Sequence, residues 1–253
     1  MKKARFLNLC FGILFGSLLL LSMTDASAQQ YEVGLGLGGA TYTGDIIRHV
    51  DPTQIGIQGT LFGRRNFDNV WSVRGGLAFA RLNGADEKRP IDAMAIQRDA
   101  YFQGSALEAH ILAEYHFLDY LSPQSAFRFS PFAMFGLGYT FFSGRGNGGP
   151  EPDGRYSVGT PVIPIGAGVK YKLRDRLFMT VEAGIRATFT DYLDKIEHNT
   201  VYLERFIPDP DNPGMNMVNP AGLNYGSRDD KDWYYFLGVT LSYSFHQVKC
   251  FSY

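Results

Sequence analysis

One stretch near the C-terminus constrains the fold of this chain more than any other. In WYYFLGVTLSYSF, residues 233–245, every second position from Trp233 to Phe245 carries a large apolar or aromatic side chain. The positions between them carry Tyr234 and Phe236 first, and then glycine, threonine and serine. Because successive side chains of a β-strand point to opposite faces, a period of two indicates a strand. The stretch therefore predicts a strand with one continuous apolar face.

The same alternation recurs in seven further segments. They lie at 31–42, 54–64, 70–81, 107–117, 129–142, 162–172 and 177–189. Each has about the ten residues that a tilted strand needs to cross a bilayer. After residue 28 the chain has no apolar run of the roughly 18 residues that a membrane-spanning helix needs. The pattern predicts an all-β chain, an eight-stranded antiparallel up-and-down transmembrane β-barrel.

The connections between these segments alternate in length. Long ones lie near 43–53, 82–101, 143–161 and 190–232, and short ones lie at 66–69, 118–128 and 173–176. Barrels of the bacterial outer membrane have long loops outside and short turns in the periplasm. We therefore expect a barrel over 29–246 in the cell outer membrane, with both termini in the periplasm and lipids as its surroundings.

Aromatic residues mark both ends of the apolar face. They are Tyr31, Trp71, Tyr115, Phe117, Phe129, Tyr171, Tyr243 and Phe245 at one end, and Phe79, Tyr139, Phe141, Phe189, Trp233 and Tyr235 at the other. Two aromatic girdles are typical of the two interfaces of a bilayer. The alternative, a soluble sandwich or lipocalin-like barrel, turns its apolar face inward and has no reason for girdles at both ends.

The termini indicate export. Lys2, Lys3 and Arg5 precede an apolar run at 11–21, and Ala-Ser-Ala at 26–28 is a cleavage signal, so residues 1–28 are expected to be a secretory signal peptide. Residues 247–253 break the alternation and are expected to form a short periplasmic tail. That tail holds Cys250, the only cysteine after residue 28. An odd cysteine in an exported protein indicates a disulfide to a partner or a free thiol, and both remain open.

The polar face of the strands predicts what fills the barrel. It carries Glu32, Arg74, Glu108, His110, Glu114, His116, Lys170, Glu182 and Arg186. An eight-stranded barrel is only wide enough for its own side chains, and buried charges must pair. We therefore expect a filled lumen with a network of ion pairs, and no conducting pore. Glutamate and histidine are also zinc ligands, but the four on one strand cannot converge on one ion when they alternate along it.

Catalytic and cofactor interpretations find little support in the sequence. G-x-S-x-G and H-E-x-x-H are absent, and no basic stripe suggests nucleic acid. Loop residues offer a rim acid–base site (Asp45, His49, Asp51, Asp191, Asp194, Glu197, His198) or a rim calcium site (Asp191, Asp194, Asp209, Asp211, Asp229, Asp230, Asp232), although neither set has a defined motif. We expect no catalytic residue, cofactor or metal.

A glycine run at 34–39 matches G-x-G-x-x-G, the spacing of a dinucleotide-binding turn. That turn needs a helix after the glycines, whereas ATYTGD follows here. Gly34, Gly36 and Gly38 are therefore expected to line the lumen. Our hypothesis is that they make room for long side chains such as Arg74, Lys170 and Arg186.

Three segments together resemble a known family. GLGLGGATYTGDI (34–46), TFTDYLDKI (188–196) and KDWYYFLGVTLSYSF (231–245) are similar to the PorG-like outer-membrane barrels of the type IX secretion system. The resemblance implies an accessory or anchoring subunit that contacts a periplasmic ring containing a lipoprotein, and it implies no catalytic residues. Partner contact would lie on the periplasmic side, where the chain offers its short turns and Cys250. The alternatives are a stand-alone structural or adhesive barrel and a lipid-modifying barrel enzyme.

Overall fold

Eight strands close into one antiparallel barrel in which neighbours in sequence are neighbours in space. The strands are β1 (Gln30–Thr43), β2 (Gly56–Asn66), β3 (Trp71–Ala85), β4 (Tyr101–His116), β5 (Phe129–Gly146), β6 (Gly154–Arg174), β7 (Leu177–Thr188) and β8 (Trp233–Ser244). The computed structural model describes residues 30–88, 90, 95, 99–122, 125–147, 153–196 and 231–245, and the backbone of short segments between 201 and 224. The signal peptide, the tail and Cys250 lie outside the described residues.

The barrel is closed by the pairing of β1 with both β2 and β8. Leu35 pairs with Leu61 of β2 on one side and with Leu241 of β8 on the other. A closed barrel has no unpaired strand edge, which is the condition for a β-structure to cross lipid. No helix in the described part of the chain is long and apolar enough to cross a membrane.

The two ends of the barrel differ in their connections. At one end, here called the turn end, the strands are joined by residues 67–70, 117–128 and 175–176. At the other, the loop end, the connections are 44–55, 86–100, 147–153 and 189–232. The first and second of these contain 3-10 turns at Pro52–Gln54 and Asp86–Lys88. In the fourth, Val201–Tyr202 pairs with Leu223–Asn224, and Ile207–Pro208 pairs with Asn216–Met217.

The predicted bounds of two long loops were wrong. The loop expected at 143–161 is largely strand, since β5 runs to Gly146 and β6 begins at Gly154. Likewise β3 continues to Ala85 and β4 begins at Tyr101, inside the loop expected at 82–101. Apolar alternation stops where the strands leave the apolar band, but backbone pairing continues with polar side chains outside. Side-chain periodicity therefore locates the apolar part of a strand and misses its polar extension.

The outer surface of the barrel is apolar over most of its height. Leu37, Ile111 and Leu137 are 77%, 66% and 70% exposed, and the predicted girdle residues Phe117 and Tyr139 are 60% and 54% exposed. A continuous apolar surface of this kind does not persist in water, whereas a bilayer requires it. The predicted fold class, a transmembrane barrel with apolar residues outside and polar residues inside, is confirmed.

The glycines of β1 face the lumen, but they do not make room for the predicted cations. A Cβ on Gly34 would overlap the ring of Phe62, and one on Gly36 would overlap Thr240. A Cβ on Gly38 would overlap the carbonyl oxygen of Leu237, because the backbones of β1 and β8 approach closely where Gly38 pairs with Gly238. The hypothesis was wrong at these positions. Glycine makes room for a cation elsewhere, at Gly184, where a Cβ would overlap Arg186.

Replacing Gly38 by alanine should destabilise the barrel, whereas the same replacement at the outward-facing Gly75 should not. We expect Gly38→Ala to lower the free energy of unfolding by about 1–3 kcal/mol, since a backbone contact cannot move aside as a side chain can. Gly75 of β3 faces outward, and a Cβ atom at this position would have no atom within 4 Å, so Gly75→Ala should be close to neutral. Urea unfolding in phospholipid vesicles measures both, and equal stabilities would contradict the close approach of β1 and β8.

Candidate functional site

The lumen collects the charged side chains that the strands turn inward. All nine predicted lumen residues are buried there: Glu32, Arg74, Glu108, His110, Glu114, His116, Lys170, Glu182 and Arg186. Arg64 joins them and was missed from the predicted set. Among the described strand residues, the buried charges now balance, with four carboxylates (Glu32, Glu108, Glu114, Glu182) and four cations (Arg64, Arg74, Lys170, Arg186). The predicted set contained four carboxylates and three cations. That imbalance of charge could have indicated that a further cation, Arg64, also faces the lumen.

Glu32 is the centre of the network near the turn end. Its carboxylate accepts hydrogen bonds from Lys170 Nζ at 2.7 and 2.8 Å and from Arg64 Nη1 at 2.9 Å. Asn66 Nδ2 and Ser242 Oγ donate at 2.7 and 3.0 Å. Side chains from three other strands, β2, β6 and β8, thus converge on one carboxylate of β1. The charge of Glu32 is matched by two cations in a site that water does not reach.

A second carboxylate, Glu114, links Glu32 to the other side of the lumen. Arg64 Nε lies 2.7 Å from Glu114, and Arg74 Nε lies 3.1 Å from it. Arg74 Nη1 continues to Glu182 at 2.7 Å. The ion pairs therefore form an unbroken chain from Lys170 through Arg64 to Glu182 across the barrel. A chain of this kind occupies the space that a pore would need.

A separate group lies nearer the loop end. Glu108 is 3.4 Å from Arg186 Nε and 2.8 Å from His110 Nδ1, and Tyr234 Oη donates to it at 2.6 Å. His116 belongs to the other group, 3.7 Å from Glu114. The two histidine–glutamate pairs thus lie apart, as their alternation on β4 predicts. No group of three or more His, Cys, Asp or Glu side chains converges as a metal site in the described part of the chain.

The turn end of the lumen is closed by an aromatic side chain from a turn. Tyr120, in the β4–β5 connection, is 1% exposed, and its ring centroid lies 5.0 Å from that of His116 and 5.9 Å from that of Phe178. Lys170 Nζ lies 5.0 Å from the Tyr120 ring and 4.6 Å from the Phe178 ring. The turn therefore folds inward over the ion pairs and shields them from water.

The loop end is closed by a polar and an apolar layer that we call the cap. Tyr42 Oη lies 2.7 Å from Asp194 Oδ2 and 2.6 Å from Asp232 Oδ1, and all three residues are buried. Leu193 N donates to Asp232 Oδ2 at 2.7 Å. Burial, and then the nearby Asp194 carboxylate, raise the pKa of Asp232 well above its usual value. Asp232 therefore keeps its proton to a higher pH than an ordinary carboxyl group.

The apolar layer of the cap comes from the two flanking loops. Ile46 and Ile47 of the first loop and Leu193 and Ile196 of the fourth are at most 4% exposed and form one cluster with buried strand residues. Those strand residues include Ala78, Ala80, Leu82, Phe102, Phe142, Tyr234 and Phe236. The loop ends are thus part of the barrel core, and both ends of the lumen are closed.

Of the predicted rim residues, Asp194 and Asp232 come together on Tyr42 in the cap, but no group of three or more that could hold a metal forms among the described residues. Asp51 accepts hydrogen bonds from Thr53 N and Thr53 Oγ1, both at 2.9 Å, and so caps the turn that follows it. His49 is exposed, and Asp194 belongs to the cap. Glu197, His198, Asp209, Asp211, Asp229 and Asp230 lie outside the described residues.

The turn end presents exposed apolar and basic side chains on its rim. Phe67 and Phe127 are 42% and 48% exposed and lie in two different turns. Arg128, Arg174 and Arg176 are exposed at the same end, and none of them has an ion-pair partner within the residues that the structure describes. The exposed carboxylate between the last two, Asp175, pairs with Lys172. Aromatic and arginine side chains are the types that protein interfaces use most. The turn end therefore has the composition of a docking surface.

The fold, the apolar exterior and the filled lumen define the class of protein. It is a transmembrane β-barrel of the small type found in bacterial outer membranes, with its lumen closed by ion pairs and its ends closed by Tyr120 and the cap. The chain belongs to the family described as "Domain of unknown function (DUF6089)", whose model matches residues 12–253.

Solved structures of three small barrels cover 87% of this chain, and each is covered completely. They are a major outer membrane protein from Thermus thermophilus (16% identity, TM-score 0.48), Ail of Yersinia pestis in complex with sucrose octasulfate (11%, 0.46) and neisserial surface protein A (13%, 0.45). No curated protein matches the sequence at a significant level. At these values the likenesses carry nothing about function, and the apolar exterior is the argument for a membrane.

Proposed function

We propose that the protein is a non-enzymatic barrel of the bacterial outer membrane that serves as an accessory or anchoring subunit of the type IX secretion machinery. The observation that carries the proposal is the filled lumen. Ion pairs running from Lys170 to Glu182 close it, so the barrel cannot itself conduct the secreted protein. Its function then lies at its ends, as in a subunit that anchors other components. The resemblance of three segments to PorG-like barrels supports the choice of machinery.

The turn end is the proposed contact with a periplasmic ring that contains a lipoprotein. Phe67 and Phe127 supply exposed apolar surface, and Arg128, Arg174 and Arg176 supply unpaired positive charge among the described residues. Such a surface favours an acidic partner patch with an apolar centre.

A disulfide from Cys250 to a ring component is a further part of the proposal. By sequence, Cys250 follows β8 and is expected on the same side of the membrane as the turn end. Non-reducing gels of wild type and Cys250→Ala test that disulfide. Identical bands from the two proteins would exclude it.

A charge-reversal variant tests the contact. We expect Arg128→Glu combined with Arg174→Glu and Arg176→Glu to abolish co-purification of ring components and to reduce secretion of type IX cargo, since like charges repel across an interface. Arg48→Glu, in the first loop at the other end of the barrel, is the control and should retain both. Heat-modifiable migration on gels checks that each barrel is folded. Normal cargo secretion in a strain that lacks the gene would rule out the secretion role.

A stand-alone adhesive barrel is the second candidate. It is favoured by the β5–β6 hairpin, which stays paired as far as Gly146 and Gly154, beyond the apolar band. Deleting residues 197–231 removes most of the fourth loop and leaves the cap residues Asp194 and Asp232 in place. Loss of surface attachment with intact secretion would favour adhesion, and the reverse would favour the secretion subunit.

A further inference from the structure

The outer wall of the barrel changes abruptly from apolar to basic near the loop end of β3–β6. Phe79, Leu107 and Phe141 occupy one row of paired outward positions across β3, β4 and β5. Two residues further along each strand, Arg81 pairs with Ser105, and Ser105 pairs with Ser143. Two residues span about 6.6 Å along a strand, from a rise of about 3.3 Å per residue. The polar row thus lies directly beyond the aromatic girdle, at the height of lipid head groups.

The next row carries two more arginines. Asn83 pairs with Gln103, Gln103 with Arg145, and Arg145 with Arg155. All four residues are on the outward-facing side of their strands, and the last three are exposed. Together the two rows present guanidinium, amide and hydroxyl groups, which are all hydrogen-bond donors.

A groove of about 1080 Å³ runs along these rows, and its lining includes Arg81, Lys88, Ser105, Arg145 and Arg155. Arg145 is already neutralised, since Asp153 accepts from both its Nε, at 2.8 Å, and its Nη2. Arg81, Lys88 and Arg155 have no ion-pair partner within the described ranges. Glu87 and Asp99 also line the groove, but they lie in the β3–β4 connection, further from the apolar band than Arg81.

Within the strands, the outward basic residues near the loop end lie on one side of the barrel. On the opposite wall the outward strand positions near this end are Ile57 of β2, Thr43 of β1, Trp233 and Tyr235 of β8 and Ala187 of β7, and none of them is basic. Lys231, directly before β8, and Arg48, in the first loop, are exposed cations at the same end, but neither lines the groove. The groove is therefore the place where cations on the strands and other donors occur together, which indicates a localised ligand.

We propose that this groove binds the phosphate of a phosphorylated lipid head group in the leaflet at the loop end. The planar donor fork of arginine matches phosphate, and the stems of Arg81 and Arg155 can lie along the aromatic row while their charges reach the head group. The serine and glutamine side chains between them supply further donors. The lipid tails then lie on the apolar wall below, against Phe79 and Phe141. The inference rests on the membrane location and does not depend on a role in secretion.

The test uses the full barrel in micelles of a maltoside detergent, which carries no phosphate, with a diphosphorylated lipid A as the probe. We expect binding that weakens about ten- to hundredfold in the double variant Arg81→Gln, Arg155→Gln, since charge-assisted hydrogen bonds to phosphate are lost. Arg65→Gln, at an outward-facing arginine near the turn end of β2, is the matched control and should bind as wild type does.

Two further arms identify the ligand chemistry. The same lipid A with its phosphates removed should bind no better to wild type than to the double variant. Inorganic phosphate at millimolar concentration should not displace the lipid, because it lacks the tails that the wall holds. Equal binding of the dephosphorylated lipid, equal binding by the double variant, or saturation by inorganic phosphate alone would each overturn the proposal.

Discussion

Replacing Arg64 by methionine should lower the free energy of unfolding of the barrel by about 3–5 kcal/mol. Arg64 is 2% exposed and lies 2.9 Å from Glu32 and 2.7 Å from Glu114, so its removal takes one cation from two buried carboxylates. Methionine fills a similar volume, and the loss is therefore one of charge and not of packing. Unfolding by urea in phospholipid vesicles, followed by the fluorescence of Trp71 and Trp233, measures the change.

The neighbouring arginine is the matched control for that experiment. Arg65 points outward, where its guanidinium lies 5.8 Å from the ring of Tyr31 and 5.0 Å from that of Phe67. Arg65→Met should cost about 0.5–1 kcal/mol, the value of an exposed cation–π contact. Adding Glu114→Gln to Arg64→Met restores the balance of charge and should recover part of the lost stability. Equal stabilities of the two single variants would show that the lumen is hydrated and its charges are not buried.

The charged lumen has a consequence for folding that an apolar one would lack. Ion pairs buried in place of apolar residues add little net stability, so stability alone does not account for four balanced pairs of charges. A strand that is apolar on both faces has no preferred face, and a shift of register by one residue would cost little. Glu32 on β1 and Lys170 on β6 make such a shift costly, because it would turn each charge into lipid. The network therefore determines which face meets the bilayer in the six strands that carry its charges, β1 to β4, β6 and β7.

Alternation along the chain predicts most of this fold, because the order of side chains within each strand determines which face is apolar. Glu114 and Arg186 are expected to point inward because each alternates with the apolar residues of its own strand. Their partners do not follow, since pairing depends on the stagger of all eight strands around the barrel. Lys170 and Glu32, for example, are 138 residues apart in sequence. The sequence thus predicts the contents of the lumen, and the structure assigns the pairs.

Sequence reasoning named Asp194 and Asp232 as members of a possible rim calcium site and missed the cap that they form with Tyr42. Asp194 and Asp232 lie in a long loop rich in aspartate, where a carboxylate is ordinarily expected to be solvated. In the structure, each contacts Tyr42 from the first strand. These residues come one each from the three segments that resemble PorG-like barrels. What the three segments share in this chain is therefore a hydrogen-bonded contact that closes the loop end of the barrel.

Because Asp232 has a raised pKa in the folded protein, the stability of the barrel should fall as pH rises. The ordinary pKa of this carboxyl is 3.8, and the folded state keeps the proton well above that pH. From there up to the raised pKa, unfolding releases a proton, so the free energy of unfolding decreases by up to about 1.4 kcal/mol per pH unit. Urea unfolding in vesicles from about pH 4 to pH 9 measures this slope.

Asp232→Asn should remove that dependence while keeping the cap closed. The Tyr42 hydroxyl has one proton for two carboxyl partners, so it can donate to only one of them, Asp194 or Asp232. The introduced amide group can donate to Tyr42 Oη while the hydroxyl donates to Asp194, and its carbonyl oxygen can accept from Leu193 N. Asp153→Asn is the control, because Asp153 lies at the same end of the barrel. Its hydrogen bonds with Arg145 lower the pKa of its carboxyl group, so it titrates in the acidic range. The alkaline slope should vanish in the first variant and persist in the second. A slope that survives in Asp232→Asn would mean that the proton is held elsewhere in the cap, on Asp194 or Asp191. Asp232 would then not be the group that makes the stability of the cap depend on pH.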